Sequence, residues 1–174
     1  MREHNLVKDG MRLLDIAPMP SLVSALLYNY QLSYVSIDYG QRPAQTRMNL
    51  ESLAFRSDQF DAILCMHVLE HVKHDVRALE ELVRVLRPRG WAVLMVPIDE
   101  NRSYTDEDPN LNDPEERARR FGQHDHVRRY GKDFLQRCAN AGFRMQVIDM
   151  HKEKTILEKY ALMPNEKIYI GWRQ

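Results

Sequence analysis

Apolar residues along this chain fall into short unbroken runs, separated by stretches where they recur every three or four positions. Met11 to Ala17, MRLLDIA, is an apolar run between Gly10 and Pro18, as expected of a strand buried on both faces. Leu22, Ala25, Leu26 and Tyr30 then keep helical spacing from Ser21 to Tyr30, with Ser21 placed as the N-cap. Ser33 to Ile37 is rich in β-formers and stops at Asp38, with Gly40 and Pro43 just beyond; a shorter strand is expected near Thr46 to Asn49. Phe60 to Met66 is the next strong strand. Val76, Leu79, Leu82, Val83 and Leu86 mark one face of a helix that begins at Asp75 and carries Arg84 and Arg87 near its end, as the helix dipole favours. Pro88 and Gly90 end it, and Trp91 to Ile98 reads as a strand. Phe60 to Ile98 is therefore one complete βαβ unit.

Asp99 to Tyr130 breaks the rhythm. It is acidic and contains proline, with a charged helical piece around Glu115 to Arg120. A segment of this length inside a compact domain is more often functional than passive. A helix from Lys132 to Ala141 follows, closed by Gly142, then strands near Phe143 to Met150 and Lys167 to Arg173. Alternating strands and helices predict an α/β fold: a Rossmann-like three-layer sandwich, with a mostly parallel twisted sheet and helices on both faces. The last two strands have a loop rather than a helix between them, so an antiparallel C-terminal edge strand is expected. There is no internal repeat or linker, and residues 1–174 read as a single domain.

Bulk properties narrow the function classes. With 174 residues and 44% hydrophobic content, the chain can bury one sizeable core. Lys plus Arg equals Asp plus Glu at 25 each, which gives no field to gather nucleic acid or anionic membrane. No apolar run approaches the ~20 residues that span a bilayer, and MREHNLVKDG lacks the apolar core of a secretory signal. Cys65 and Cys138 suggest neither a disulfide framework nor a zinc motif. The expectation is a soluble cytoplasmic protein with no nucleic-acid or membrane partner and no metal.

Candidate chemistry gathers where the strands end. Asp15 closes the first strand and Asp38 the second, 23 positions on. In a nucleotide-binding βαβ unit, an acid ending the second strand accepts hydrogen bonds from ribose hydroxyls; the alternative is that both aspartates only cap strand ends. His67, Glu70 and His71 follow Met66, where ligand sites of open α/β sheets lie. H-V-L-E-H matches the H-x-x-E-H form of one zinc-peptidase class, although a strand end is not the helix that chemistry uses. A nicotinamide dehydrogenase ranks last, because the turn after the first strand has no G-x-G-x-x-G to cradle a pyrophosphate. Phe121 to Gly131, FGQHDHVRRYG, packs Gln123, His124, Asp125, His126, Arg128 and Tyr130 into eight positions. Arg128 suits a carboxylate or phosphate and His126 an acceptor's proton; the alternative is a network that anchors a long loop.

The wording of Phe60 to Ile98 resembles the region after strand four of class I S-adenosylmethionine (SAM)-dependent methyltransferases of the type 11 kind. The resemblance covers about Arg12 to Ile170. It implies SAM as cofactor and S-adenosylhomocysteine as product, methyl transfer to a small-molecule N or O acceptor, and roles for particular residues. Asp15 would orient the methionine part and Asp38 would hold the ribose, with Ala17 and Tyr39 beside them. In Asn49-Leu50-Glu51-Ser52-Leu53-Ala54-Phe55, similar to the family's D-A-E-x-L-P-F, Asn49 would receive the adenine amino group and Leu50 its face. His67 would lie near the methionine end, with a general-base role open to it. The family's D-x-G-x-G-x-G reads D-I-A-P-M-P-S here, with Ala17, Met19 and Ser21 at the glycine positions. This resembles a subset of the family with a glycine-less A-P turn. Left-handed geometry at Met19 would cost about 1 kcal/mol or more. That subset carries a similar D-H-x-R-x-Y, matched by Asp125, His126, Arg128 and Tyr130, and the resemblance assigns the acceptor side to His124, Asp125, Arg128 and Tyr130, with His126, Arg128 and His67 as the catalytic candidates. With ten residues before the first strand, the family's N-terminal cover helices are not expected, so cover would come from Asp99 to Tyr130, from a second subunit, or from nowhere. A non-catalytic relative that binds SAM or another nucleoside, or serves as a partner subunit, is the alternative function.

Overall fold

The computed structural model describes residues 6–40, 42–149 and 167–174. The elements are β1 (Arg12–Ile16), α1 (Pro20–Asn29), β2 (Ser33–Asp38), β3 (Thr46–Arg47), β4 (Phe60–Met66), α2 (Asp75–Val85), β5 (Leu86–Met95), β6 (Asp106–Glu107), α3 (Pro114–Phe121), β7 (Arg128–Arg129), α4 (Phe134–Asn140), β8 (Phe143–Asp149) and β9 (Lys167–Arg173). Seven strands form one sheet in the order β3-β2-β1-β4-β5-β9-β8, and β6 pairs with β7 in a separate ribbon. The first five strands of the sheet run parallel, whereas β9 is antiparallel to both β5 and β8. The C-terminal strand β9 is the antiparallel one, as the sequence pattern predicts, and it is seated between β5 and the edge strand β8.

Successive residues of a strand face opposite sides of a sheet, and the core divides accordingly. Leu14, Ile16, Ile63 and Cys65 join Leu79 and Leu82 of α2 and Phe134 and Cys138 of α4 in the larger core. Leu13, Ala62, Leu64, Trp91 and Ile170 face the other way, toward Leu22 and Leu26 of α1. Cover is unequal: α1 has no buried residue, and Tyr28 on it is 90% exposed.

Several boundaries differ from the sequence reading, each for a local reason. Met19, in extended conformation, is the N-cap of α1, and Ser21 lies inside the helix. Pro20 holds the first helical position, where its fixed φ is already helical and its missing N–H costs nothing. Helix α2 ends at Val85, three residues before Pro88, and β5 begins directly at Leu86. Leu86 stands opposite Phe60 and Trp91 opposite Ala62, so the four residues between them bulge from the ladder. A Cβ on Gly90 would lie 2.8 Å from the Arg87 carbonyl oxygen, so the bulge closes only around glycine. Arg87, expected to serve the helix end, donates instead to Asp61 at 2.5 Å. Strand β5 stops at Met95, and Ile98 makes one isolated bridge to Tyr130. The expected strand near Phe143 to Met150 is described as far as Asp149, and residues 150–166 lie outside the described residues. Among the described residues no helix is long and apolar enough to cross a membrane.

The segment from Asp99 to Tyr130 has a structure of its own. Asp113 caps α3, accepting from the Glu115 and Glu116 amides, and Gly122 ends it with φ 95°. Ribbon β6–β7 then returns the chain to the carboxyl edge of the sheet, beside Ile98.

Candidate functional site

The strand order reverses direction between β1 and β4, and that switch point is where open α/β sheets bind ligands. A cavity of about 440 Å³ opens there, bounded by the ends of β1, β2 and β4 and the loop after β3. Its size is that of a small-molecule site. Six residues expected at the cofactor line it: Ala17, Asp38, Tyr39, Asn49, Leu50 and His67. Arg42, Glu51, His71 and Lys73 line it as well, and no sequence pattern had marked Arg42 or Lys73.

Backbone geometry shapes this cavity. Ala17 and His67 both take left-handed φ, 54° and 55°, in the first position beyond β1 and β4. Met19 has φ −97°, so the turn spares the longer side chain and places the strain on alanine, one of the smallest residues able to bear it. The Ala17 amide donates to the Ile37 carbonyl at 2.9 Å, and the Ala17 carbonyl accepts from Arg42 Nη1 at 3.1 Å. Asp38 is buried, and its Oδ1 accepts from the amides of Gly40 and Arg42 at 2.6 and 2.9 Å, which folds the loop after β2 around the carboxylate. Asn49 Oδ1 accepts from the Glu51 amide at 2.9 Å, an Asx turn that fixes the side chain at the cavity wall.

Asp15 stands apart from this set. It is 1% exposed, does not line the cavity, and accepts from the Tyr34 hydroxyl at 2.9 Å. Burial raises its pKa to about 6, against the lowering effect of the Tyr34 hydrogen bond.

A second cavity of about 480 Å³ lies over the ends of β4 and β5, lined by residues that include Glu70, Asp99, Gln123, His126, Arg128 and Arg129. His126 is buried, and its Nδ1 lies 3.3 Å from the Phe121 carbonyl. Burial, then the neighbouring His71, push its pKa below the ordinary imidazole value, which keeps it neutral near pH 7. His124 is exposed and lines neither cavity, while Asp125 lies against His71, 3.2 Å from its Nδ1.

Arg128 and Tyr130 occupy positions unlike those expected of substrate contacts. Arg128 is 1% exposed. Its Nη1 donates to the carbonyls of Leu69, at 2.6 Å, and Val72; Nη2 donates to Lys73 at 3.0 Å and Nε to Glu107 at 3.2 Å. The Tyr130 hydroxyl, fully buried, donates to Asp75 Oδ2 at 2.8 Å. Both side chains spend their hydrogen bonds on the loop after β4 and the start of α2, so they correspond to the anchoring alternative. The exposed cation on the second cavity is Arg129, which pairs with Asp99 at 3.1 Å. Sequence reasoning passed over it because alternation alone does not say which of two adjacent arginines faces inward.

The H-V-L-E-H stretch lies in turns after β4, not on a helix. His67 Nδ1 is 3.5 Å from Glu70 Oε1, and His71 packs edge-on against His126 with ring centroids 4.7 Å apart, while His67 is absent from the group of possible ligands that Glu70, His71 and His126 form. The zinc-hydrolase arrangement is therefore not formed.

Residues 13–94 match the model of a methyltransferase domain family, and every residue lining the first cavity falls within that stretch. Most of the second cavity lies beyond it. An uncharacterised protein of Methanocaldococcus jannaschii is 40% identical over 48 residues, which is 28% of this chain and 21% of that one. The chain thus spans about a fifth of the length of the curated relative it matches. Among solved structures, a SAM-dependent methyltransferase from Mesorhizobium loti superposes with TM-score 0.65 at 14% identity, over 99% of this chain and 95% of that one. Haemonchus contortus phosphoethanolamine N-methyltransferase 2 in complex with SAM gives TM-score 0.64 at 13% identity, over 99% and 50%. At such identities the likeness speaks for the fold, which is that of class I methyltransferases.

Proposed function

We propose that this chain is a SAM-dependent methyltransferase that holds its cofactor in the cavity at the β1/β4 switch point and a small-molecule acceptor in the cavity beside it. The observation that carries the reading is that Ala17, Asp38, Asn49 and His67 converge on one cavity of suitable size, wholly within the stretch matching the methyltransferase family. When bound, SAM supplies an electrophilic sulfonium methyl group.

The chain's own residues supply placement. Asp38 takes the ribose hydroxyls and Asn49 the adenine amino group, while Leu50 packs on the adenine face. Tyr39 borders the nucleoside, and His67 faces the methionine end. Asp15 acts from behind the wall by fixing the end of β1. The protein contributes chiefly proximity and orientation, which do not require a strong base. Where the acceptor carries a proton, His126 is the group to take it, because it is neutral near pH 7 and faces the second cavity. Arg129 and Gln123 are the polar groups offered to an N or O acceptor, and Arg128 and Tyr130 position the loop that presents them.

Calorimetric titration with SAM and with S-adenosylhomocysteine tests this directly. Micromolar binding, lost on Asp38→Ala, is expected. Absence of binding at millimolar ligand would overturn the assignment of the first cavity. Binding without turnover over a broad screen of N and O acceptors would overturn the methyl-transfer step while keeping the nucleoside site.

A further inference from the structure

One group of side chains is left unexplained by the methyl-transfer reading. Glu70 and His71 come from the turn after β4, and His126 from the segment before β7. One potential ligand atom from each lies within 4.8 Å of the other two. The two imidazoles meet edge-on at 4.7 Å between centroids.

A second observation concerns hydrogen bonding. Glu70 is 2% exposed, yet its Oε2 has no hydrogen-bond partner among the described residues. His71 Nδ1 and Asp125 Oδ1 are buried atoms in the same condition, although Asp125 Oδ2 lies 3.2 Å from that His71 nitrogen. Only one other such atom, Arg137 Nε, occurs among the described residues, so the deficit is concentrated here. A buried acceptor without a donor carries its full desolvation cost, and native structures rarely leave several together. A cation placed among Glu70, His71 and His126 satisfies the orphaned Glu70 oxygen and one lone pair of each imidazole, and leaves His71 Nδ1 to Asp125.

We propose that Glu70, His71 and His126 form a binding site for a divalent transition-metal ion of the borderline class, such as Zn2+, that accepts imidazole and carboxylate together. Such ions bind N and O at about 2.0–2.2 Å, which sets ligand atoms roughly 3.5 Å apart, so the three side chains need to close by about 1 Å. Asp125 is placed to hold the His71 imidazole, the usual carboxylate support of a metal-bound histidine. His71 also lines the first cavity, whereas Glu70 and His126 line the second, so the ion sits in the wall between them. Three protein ligands leave coordination positions for a water or for an oxygen or nitrogen of the acceptor. The site itself does not depend on the methyl-transfer reading, but an ion bound there occupies the His126 lone pair, so the metal-loaded chain does not use His126 as the base named above.

The test is metal uptake by the untagged full chain after stripping with chelator. Co2+ serves as the spectroscopic probe, and Zn2+ is followed by calorimetry. One equivalent of Co2+ is expected, with the visible absorption bands of four- or five-coordinate cobalt. Glu70→Gln and His126→Gln are each expected to weaken Zn2+ affinity by about tenfold or more, and His74→Ala, an exposed histidine outside the group, to leave it unchanged. No stoichiometric uptake by the wild type would overturn the proposal even if the variants fail to fold. Uptake undiminished in both variants would do the same. SAM titration of the same samples keeps the two readings separate, because metal binding without SAM binding sinks only the methyltransferase assignment, and SAM binding without metal uptake sinks only this site.

Discussion

Ala17 and His67 each follow the last residue of a central strand, on hydrogen-bonded neighbours β1 and β4, and both hold left-handed backbone with φ 54° and 55° while lining the same cavity. Non-glycine residues in this region are uncommon and concentrate at functional sites. Here they lie in the turns that leave two neighbouring strands of the sheet, at the rim of the cavity.

The first prediction concerns that strain. Ala17→Gly removes the Cβ clash but adds freedom to the unfolded chain, so it is expected to stabilise the fold by up to about 1 kcal/mol. Ala17→Val, branched at Cβ, is expected to destabilise by more than 1 kcal/mol, as roughly estimated from the same sterics. Urea midpoints at constant m-value decide it; a glycine variant clearly less stable than wild type contradicts a left-handed alanine.

Arg128→Gln is expected to cost about 3 kcal/mol or more, since it strands three backbone carbonyls and removes one of the two cations beside the buried Asp75 carboxylate. Arg128→Lys is expected to restore little, because a single ammonium cannot reach the spread of acceptors that a guanidinium fork reaches. Equilibrium unfolding of both variants checks this, and a lysine variant as stable as wild type would refute it.

Asp15 makes stability depend on pH in a definite direction. Its folded pKa of about 6 exceeds the ordinary carboxylate value, so between about pH 4 and pH 6 the folded chain holds a proton that the unfolded chain has released. Its contribution to stability is full below that window and falls as pH rises through it. Asp15→Asn keeps an acceptor for Tyr34 and removes the effect, so the stability difference between variant and wild type should widen in the variant's favour over this interval. A flat difference would show that folding leaves the Asp15 pKa where it is in the unfolded chain.

Cys65 and Cys138 are both fully buried, and desolvation pushes both thiols above their ordinary pKa. Neither is expected to react with a thiol-specific disulfide reagent in the folded chain at pH 8, and both should react in urea. Rapid labelling of the native protein would place a thiol at the surface.

Much of the fold was readable in the chain because it rests on local regularities. Apolar runs such as Phe60–Met66 and the spacing of Leu79 and Leu82 announce their elements, although Val76, counted on the same face, is exposed and Ala78 and Val85 are buried in its place; the acid ending β2 does line the switch-point cavity. The errors fell where a local cue competes with a distant one. Pro88 and Gly90 read as a helix stop, but they form a bulge because Leu86 already pairs with Phe60. Arg128 reads as a substrate clamp, since periodicity carries no trace of carbonyls some 55 residues back that take its donors. The Glu70, His71 and His126 group escaped for the same reason: the motif suggested His67 as the second imidazole, and only the return of β7 brings His126 to that place.

The grip of Arg128 on residues 69, 72 and 73 has a dynamic consequence. A flap hinged at Asp99 would have to pull a guanidinium out of a dry socket before it could swing, leaving three carbonyls without their donor. Backbone amides around Val127 should therefore exchange with solvent as slowly as those of the central strands. Access to the first cavity then falls to the opposite rim, where Tyr39 and Arg42 stand exposed, and the wall on the β7 side behaves as fixed masonry rather than as a door.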